Sequence, residues 1–307
     1  MTKLLQTLAD GITIGSLYAL IALGYTMVYG VLGFINFAHG TVVMLGAWIS
    51  FVIASKLIIA QPDLSPWVIG PVTLTLAMAG CGLLGWTIER LAYRPLRSSP
   101  RLNVLITAIG VSLLLENTGQ LKFLFGSEPQ PRPDLLPSEP WFTVAEVHVY
   151  PIDIFALGTA VALMVALELL VHRTKLGLAM RAVSFDHRNA SLMGVPIDRV
   201  VAMTFVVGSM LAAAAGFLLT LKYPALQQPA HTAWIMLGMK AFVAAVVGGI
   251  GNVRGAMLGG LLIGLIENFG AGYLSPQLRD VYVFVILILV LLVRPSGILG
   301  KPAMEKV

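Results

Sequence analysis

The sequence predicts an all-α membrane protein that crosses the bilayer about eight or nine times, with glycine-broken or re-entrant segments among its helices. Of its 307 residues, 57% are hydrophobic and only 11% are charged, whereas about 25% of the residues of an ordinary soluble domain are charged. The mean hydropathy is +0.87. Long apolar runs follow one another without a soluble insertion of domain size, so we treat residues 1–307 as a single transmembrane domain.

Nine apolar segments approach the length of about 20 residues that a spanning helix needs. Two of them are short or interrupted by glycine, which leaves both eight and nine crossings open. The first segment is too long for a signal-peptide core and lacks a clear cleavage site, so we expect a retained helix. The segments lie near 11–32, 41–60, 67–89, 103–124, 151–171, 199–221, 235–250, 255–272 and 281–295.

Positively charged residues predict which connections face the cytoplasm, because cytoplasmic loops carry an excess of lysine and arginine. They crowd the connection after the third segment, the connection 173–198 and the C-terminal end, which we therefore expect to be cytoplasmic. Nine crossings would place the N-terminus outside. The residues are Arg90, Arg94, Arg97, Arg101, Arg173, Lys175, Arg181, Arg188, Arg199, Arg294, Lys301 and Lys306.

The connection 126–150 is acidic and is expected to face outward. Its first part, "GSEPQPRPDLLPSEP", contains five prolines that favour a stiff, extended path. Its second part, "WFTVAEVHVY", has the β-branched, partly alternating pattern of a short hairpin. The connection is either a plain connector or a docking surface for an external partner. Its charged residues are Glu128, Asp134, Glu139 and Glu146 against Arg132.

Three GxxxG spacings predict close contacts between helices, since this spacing leaves bare backbone on one helix face. Many helices of one chain compete for those faces, so we favour internal packing over dimerisation. The pairs are Gly11 and Gly15, Gly255 and Gly259, and Gly260 and Gly264.

The stretch "GYTMVYGVLGFINFAHG", residues 24–40, carries polar side chains and four glycines within an apolar region. Such a segment packs against protein or lines a wet cavity, because lipid cannot satisfy its polar groups. We interpret it as a break that begins the second span. Gly40 would supply backbone freedom, while Asn36 and His39 would cap exposed backbone groups. Two interpretations remain for these side chains: interior caps, or contacts to a molecule in the cavity.

Three ionisable residues lie within apolar runs: Glu116, Lys240 and Glu267. Lys240 and Glu267 are equidistant from the centre of the turn "GGIGNVRGA", so an antiparallel helix pair would hold them at the same depth. We predict that they pair or share a polar cluster; the alternative is that each reaches the outer interface separately. Glu116 would suit a proton- or sodium-coupled carrier, but no ion cage is evident around it.

The connection 173–198 predicts a short helix at the membrane surface. Ser184 or Asp186 can cap its start, Gly194 can adopt the left-handed conformation after its end near Met193, and Pro196 prevents its continuation. The helix would present a small apolar bump that either docks a partner or packs against the protein's own helices. The bump residues are Asn189, Ala190, Leu192 and Met193.

The sequence lacks the motifs of an enzyme. It has no Walker A loop, no HExxH and no recognisable Ser/His/Asp arrangement. Cys81 is its single cysteine and is expected to be inert packing, and its five histidines are scattered. We therefore expect no catalytic residues, no bound metal or cofactor, and no nucleic-acid partner.

Four motifs in order give a more specific resemblance: "GYTMVYGVLGFINFAHG", "NASLMGVPIDRV", "GMKAFVAAVVGGIG" and "RPSGILGKP". The chain resembles the permease subunits of bacterial ABC importers for branched-chain amino acids, and among them the LivH type. This resemblance implies transport of leucine, isoleucine, valine or related hydrophobic amino acids. It makes Asn36, His39, Gly40 and Glu116 candidates for the translocation pathway, where Asn36 and His39 would either cap the backbone or contact the transported amino acid. Close relatives take other neutral or polar amino acids, urea or short amides.

The resemblance also implies a set of partners. Two separate ATPase subunits would bind ATP and Mg²⁺, a second permease would complete a heterodimer, and a periplasmic binding protein would deliver the substrate. The chain would lie in the bacterial inner membrane with a cytoplasmic C-terminus. The segment 184–194, including Asp186 and Gly194, would be the coupling helix, although it lacks the Glu-Ala-Ala opening of some importer families.

Two alternatives have different mechanisms. An ion-coupled secondary transporter would place Glu116 at the centre of the mechanism. A channel-like pore would work without ATPases, but a pore has no use for a capped helix with an apolar bump in the cytosol.

Overall fold

The structure consists almost entirely of α-helices. The computed structural model describes residues 2–97, 99–137, 139–144 and 147–300. Within these residues the helices are, in chain order, α1 (Thr2–Leu32), α2 (His39–Ala60), α3 (Pro66–Ile88), α4 (Arg101–Gly119), α5 (Pro151–Arg173), α6 (Lys175–Phe185), α7 (His187–Leu192), α8 (Ile197–Lys222), α9 (Thr232–Gly248), α10 (Val253–Tyr273) and α11 (Arg279–Val293).

Eight helical stretches in the described part of the chain are long and apolar enough to cross a membrane, and α9 is a shorter apolar helix. The prediction of an all-α polytopic membrane protein with about eight or nine crossings is therefore confirmed. A π-helical turn, Glu89–Tyr93, and a 3-10 turn, Arg94–Leu96, continue α3. α1 begins at Thr2, well before the expected 11, because the preceding residues are mostly good helix formers.

Short strands lie in the connections on one side of the helices. The strands β2 (Phe142–Val144) and β3 (Val147–Val149) form the antiparallel hairpin that the alternating pattern indicated. The strands β1 (Gln130–Pro131) and β4 (Ala225–Leu226) also pair, which joins the proline-rich loop to the segment before α9. The sequence did not predict this second pairing because its partners are far apart along the chain.

The N-terminal end of α1 lies on the same side of the helices as the hairpin. The Gln6 side chain accepts a hydrogen bond from the His148 backbone N–H at 2.9 Å. Lys222, at the end of α8, lies 3.5 Å from Asp10 and 2.5 Å from Asp153. Nine crossings would place the N-terminus on the outward side, where the connection 126–150 is expected. The position of α1 beside the hairpin therefore agrees with nine crossings. Glu146, Lys301 and Lys306, which entered the charge argument, lie outside the described residues.

α1 is buried along most of its length and packs closely against α10. A Cβ placed on Gly264 would lie 2.2 Å from the Gly15 Cα, and one on Gly260 would lie 2.4 Å from the Ala19 Cα. Gly259, in turn, faces Ala244 of α9. These contacts lie within the chain, so the GxxxG spacings serve internal packing as predicted. Cys81 is also buried.

The contact between α1 and α10 leads to a stability prediction. Gly264→Ala is expected to lower the free energy of unfolding by about 1–3 kcal/mol, because the new methyl group overlaps the backbone of α1. Thermal unfolding in detergent measures the loss. Gly158→Ala is the matched control, since a Cβ at Gly158 meets no atom within 4 Å. Equal behaviour of the two variants would contradict the packing argument.

Candidate functional site

The break between α1 and α2 is held by Asn36. Gly33 begins it with a φ of +68°, a conformation that suits glycine. The Asn36 Oδ1 atom accepts hydrogen bonds from the Ala38 backbone N–H at 3.1 Å and from the Tyr93 hydroxyl at 2.6 Å. Asn36 is buried, and it therefore closes the turn before α2 and ties it to the π-helical turn that follows α3.

His39, the first residue of α2, is held against α1. Its Nε2 atom lies 3.2 Å from the Ile21 carbonyl oxygen, so Nε2 donates the proton in this hydrogen bond. A Cβ on Gly24 would lie 2.2 Å from that nitrogen. Gly24 thus leaves the space that the buried imidazole occupies, which explains one of the glycines in the motif.

Gly40 has a different role from the one that the sequence predicted. It lies in the regular helix α2, and its φ is not positive. A Cβ on Gly40 would lie 3.1 Å from the Gly238 Cα. The expectation of backbone freedom at Gly40 is wrong: the residue allows α2 and α9 to approach closely, and the turn conformation is supplied by Gly33.

The hydrogen bond between Tyr93 and Asn36 gives a testable prediction. Tyr93→Phe should lower the free energy of unfolding by about 1–3 kcal/mol, because it leaves the Asn36 oxygen with one donor fewer in a buried site. Tyr29→Phe is the control, since the Tyr29 hydroxyl has no hydrogen-bond partner among the described residues. Urea- or heat-induced unfolding of the detergent-solubilised protein compares the two, and an equal effect would contradict the assigned contact.

A cavity of about 380 Å³, here called the central cavity, lies between α1, α2, α4 and α9. Gly40, Thr41, Ser112 and Glu116 line it together with mostly apolar side chains. Asn36 and His39 are buried beside it and are not among its lining residues. The structure therefore brings two of the four predicted pathway residues, Gly40 and Glu116, to one cavity.

Glu116 is held by hydroxyl groups at the wall of the central cavity. Its Oε1 atom accepts hydrogen bonds from the Thr41 hydroxyl at 2.9 Å and the Ser112 hydroxyl at 3.0 Å. Thr41 and Ser112 also contact each other. No group of three or more His, Cys, Asp or Glu side chains suited to a metal ion occurs in the described part of the chain.

Lys240 and Glu267 are in direct contact at the hairpin end of the helices. The Lys240 Nζ atom lies 3.1 Å from the Glu267 Oε1 atom and 2.6 Å from an Asp280 carboxylate oxygen. The Glu267 Oε2 atom accepts a hydrogen bond from the Tyr18 hydroxyl at 2.7 Å, and Arg279 Nε lies 3.4 Å from Oε1. Sequence reasoning missed Tyr18, Arg279 and Asp280; the opposite charges at the start of α11 were the available signal.

The helix α7 has the cap and the termination that the sequence predicts. Of the two suggested caps, Asp186 is the one used: it accepts hydrogen bonds from the backbone N–H groups of Arg188 at 2.8 Å and Asn189 at 3.0 Å. Ser184 lies inside α6 instead. Gly194 follows with a φ of +79°.

The exposed surface beside α7 consists of three large apolar side chains. Leu192 is 78% exposed, and Met193 and Phe185 are each 85% exposed. Ala190, which we assigned to the bump, is buried and packs into the core, so that part of the prediction is wrong. The sequence reasoning missed Phe185, which precedes the capping residue Asp186.

An ion-pair cluster next to α7 was also missed. Arg97 pairs with Glu89 and, at 2.5 Å, with Asp198, and Arg94 also pairs with Asp198. Glu89 is buried at the start of the π-helical turn. The cluster links this turn to the start of α8, close in the chain to the end of α7. The predicted excess of arginine in the connection was its only signal.

Comparison with known proteins reveals a family relationship along almost the entire chain. Residues 7–291 match the family model described as branched-chain amino acid transport system / permease component. The chain is 43% identical to the high-affinity branched-chain amino acid transport system permease protein LivH of Escherichia coli (strain K12), covering 99% of this chain and 97% of the relative. It is 44% identical to LivH of Salmonella typhimurium, with the same coverage.

A relative from a third genus agrees with this result. The high-affinity branched-chain amino acid transport system permease protein BraD of Pseudomonas aeruginosa is 42% identical, over 99% of this chain and 98% of the relative. These matches span the break before α2, the central cavity and α7. The chain therefore belongs to the family of permease components of branched-chain amino acid transport systems.

Proposed function

We propose that this chain is the permease subunit of an ATP-driven ABC importer that carries leucine, isoleucine and valine. The observation that carries the proposal is the identity of 42–44% with branched-chain amino acid permeases over 99% of the chain. The protein is a non-enzymatic transport subunit, and ATP hydrolysis takes place on two partner ATPase subunits that bind ATP and Mg²⁺.

The coupling helix is α7. Its exposed side chains, Leu192 and Met193, together with Phe185 before it, offer an apolar surface on the arginine-rich side. Apolar side chains of this size gain about 1.5–3 kcal/mol each when they are buried. A cleft in an ATPase subunit provides that burial, and the Asp186 cap and Gly194 keep the helix short and fixed in direction.

The translocation pathway includes the central cavity. Its apolar walls suit aliphatic side chains, and Glu116 with its two hydroxyl partners offers a polar surface to the ammonium group of an amino acid. Asn36 and His39 support the pathway indirectly, since they fix the start of α2. Access to this cavity alternates between the two membrane faces as the ATPases bind and hydrolyse ATP.

We infer the remaining partners from the family relationship. The protein lies in the bacterial inner membrane with its C-terminus in the cytoplasm, a second homologous permease completes the pathway as a heterodimer, and a periplasmic binding protein docks on the side of the β2–β3 hairpin. The β2–β3 hairpin and the β1–β4 pair give that side of the protein a structured surface. The chain itself binds no metal or cofactor.

The test is uptake of radiolabelled amino acids into proteoliposomes that contain this chain, its partner permease and both ATPases, with the binding protein outside. We expect uptake of leucine, isoleucine and valine that requires ATP inside. Uptake of urea, acetamide or polar amino acids in preference to leucine would move the substrate class to that of other family members. Uptake that persists without ATPases and follows a proton or sodium gradient would overturn the proposal.

A further inference from the structure

A second cavity of about 620 Å³, here called the outer cavity, lies at the hairpin end of α1, α8, α9, α10 and α11. Four charged side chains line it: Lys240, Glu267, Arg279 and Asp280. Two are positive and two are negative, so the lining has no net charge but carries separate positive and negative groups. Such a lining suits a ligand that carries both signs of charge.

Within this lining, Glu267 positions the cations and is already saturated. It accepts a hydrogen bond from Tyr18 and contacts both Lys240 and Arg279, and it is almost fully buried. Lys240 is similarly buried between Glu267 and Asp280. These two residues therefore form the floor of the cluster and have little capacity left for a ligand.

Arg279 and Asp280, by contrast, are partly exposed, although Asp280 also pairs with Lys240 and Arg279 also contacts Glu267. The Arg279 side chain is 44% exposed and approaches Glu267 through Nε, while the Asp280 side chain is 47% exposed. They are neighbours at the start of α11, with opposite charges. A guanidinium group binds a carboxylate well, because its donors match the two oxygens, and a carboxylate accepts from an ammonium group.

The rest of the outer cavity combines an apolar wall with polar side chains, among them Gln227, His231 and Thr232. Leu219, Leu226, Met236 and Leu237 contribute to its wall, as does Trp234. Trp234 and Leu237 belong to α9, and Trp234 also lines the central cavity. Trp234 thus lines both cavities, so a ligand in the outer cavity is adjacent to the pathway assigned above.

We propose that the outer cavity is a binding site for the zwitterion of an aliphatic α-amino acid. The α-carboxylate contacts Arg279, the ammonium group contacts Asp280, and the side chain lies against the wall that Trp234 closes. An anion without an ammonium group would be repelled by Asp280, which lies next to Arg279. An amine without a carboxylate would be repelled by Arg279, which lies next to Asp280, so the site discriminates against both. The choice of an aliphatic amino acid as the ligand rests on the proposed function. The preference for a zwitterion rests on the charge pattern alone.

The test is equilibrium binding of radiolabelled L-leucine to the complete transporter complex in nanodiscs, without the binding protein. Leucinamide, which lacks the carboxylate, and 4-methylpentanoate, which lacks the ammonium group, serve as competitors. We expect unlabelled leucine to displace the label and both analogues to be weaker by about tenfold or more. Displacement by an analogue as effective as that by leucine would overturn the zwitterion assignment.

Variants locate the binding site. Arg279→Gln and Asp280→Asn should each raise the Kd for leucine by about tenfold or more, and Arg279→Lys should retain part of the affinity. Lys56→Gln and Asp63→Asn are the matched controls, because both residues are exposed outside the cavity. Monodisperse elution of each variant excludes misfolding as the cause.

The outcomes separate this inference from the proposed function. If the wild-type complex takes up leucine with ATP but shows no leucine binding, or if Arg279→Gln and Asp280→Asn bind leucine as the controls do, the site is wrong and the importer assignment stands. If leucine binds and depends on both residues while ATP-driven uptake is absent, the site stands and the importer assignment fails.

Discussion

Glu267→Met is expected to destabilise the protein by about 3–5 kcal/mol, and Lys240→Met by a similar amount, because each leaves a buried charge whose remaining ionic partner, Asp280 or Arg279, is about half exposed. The two groups lie 3.1 Å apart, and both side chains are less than 10% exposed. The double variant Lys240→Met/Glu267→Met removes both charges and leaves only Arg279 and Asp280, which reach solvent. It should therefore be clearly more stable than either single variant.

Unfolding free energies of the four proteins in a double-mutant cycle measure this coupling. The control is Arg254→Met, which breaks a pair with Glu168 whose arginine is 71% exposed; an exposed pair contributes about 1 kcal/mol or less. A double variant no more stable than the less stable single variant would show that the two charges are held independently. The predicted depth match around the turn would then be a coincidence.

The second large effect concerns transport. Replacing Leu192 and Met193 together by serine should reduce ATP-driven uptake by at least about tenfold, because the proposed ATPase interface would lose the burial of two large apolar side chains. The fold should be unaffected, since both side chains are almost fully exposed in the chain alone. Uptake in proteoliposomes and thermal unfolding in detergent give the two readouts.

The matched control replaces Leu292 and Val293 together by serine. These side chains are 77% and 80% exposed at the end of α11. These two residues carry a similar exposed apolar area but lie outside the α7 surface. Normal uptake by the Leu192/Met193 variant would contradict the coupling role of α7. Equal loss of uptake in both variants would show that apolar exposure on this side matters in general, rather than at α7.

Local patterns predicted a large part of the fold. The cap at Asp186, the left-handed Gly194 and the β2–β3 hairpin each depend on a few adjacent residues, and the structure contains all three. The GxxxG spacings indicated internal packing correctly, because each bare helix face can be identified from one helix and many helices of the chain compete for such faces. α6 was not predicted, although Thr174 caps it by accepting a hydrogen bond from the Gly177 backbone N–H.

Contacts between residues that are far apart in the sequence could not be predicted from such local patterns. Nothing near Asn36 indicates that Tyr93 donates to it, and nothing near Lys240 indicates Asp280 as a second partner. The pairing of Lys240 with Glu267 could be predicted because one turn joins their helices. Gly40 was misinterpreted for the same reason: its role depends on Gly238, on a helix whose neighbour the sequence alone does not reveal.

The most direct measurement of the central claim, that this chain forms an alternating-access pathway, uses one cysteine in the central cavity. Ile109, which lines this cavity, is replaced by cysteine in a Cys81→Ala background, which removes the single native thiol. The complete complex is reconstituted in proteoliposomes, and a membrane-impermeant thiol reagent is added from either face, with and without ATP and vanadate. We predict that the face from which Ile109→Cys is labelled changes with nucleotide; labelling from the same face at the same rate in every state would contradict the account.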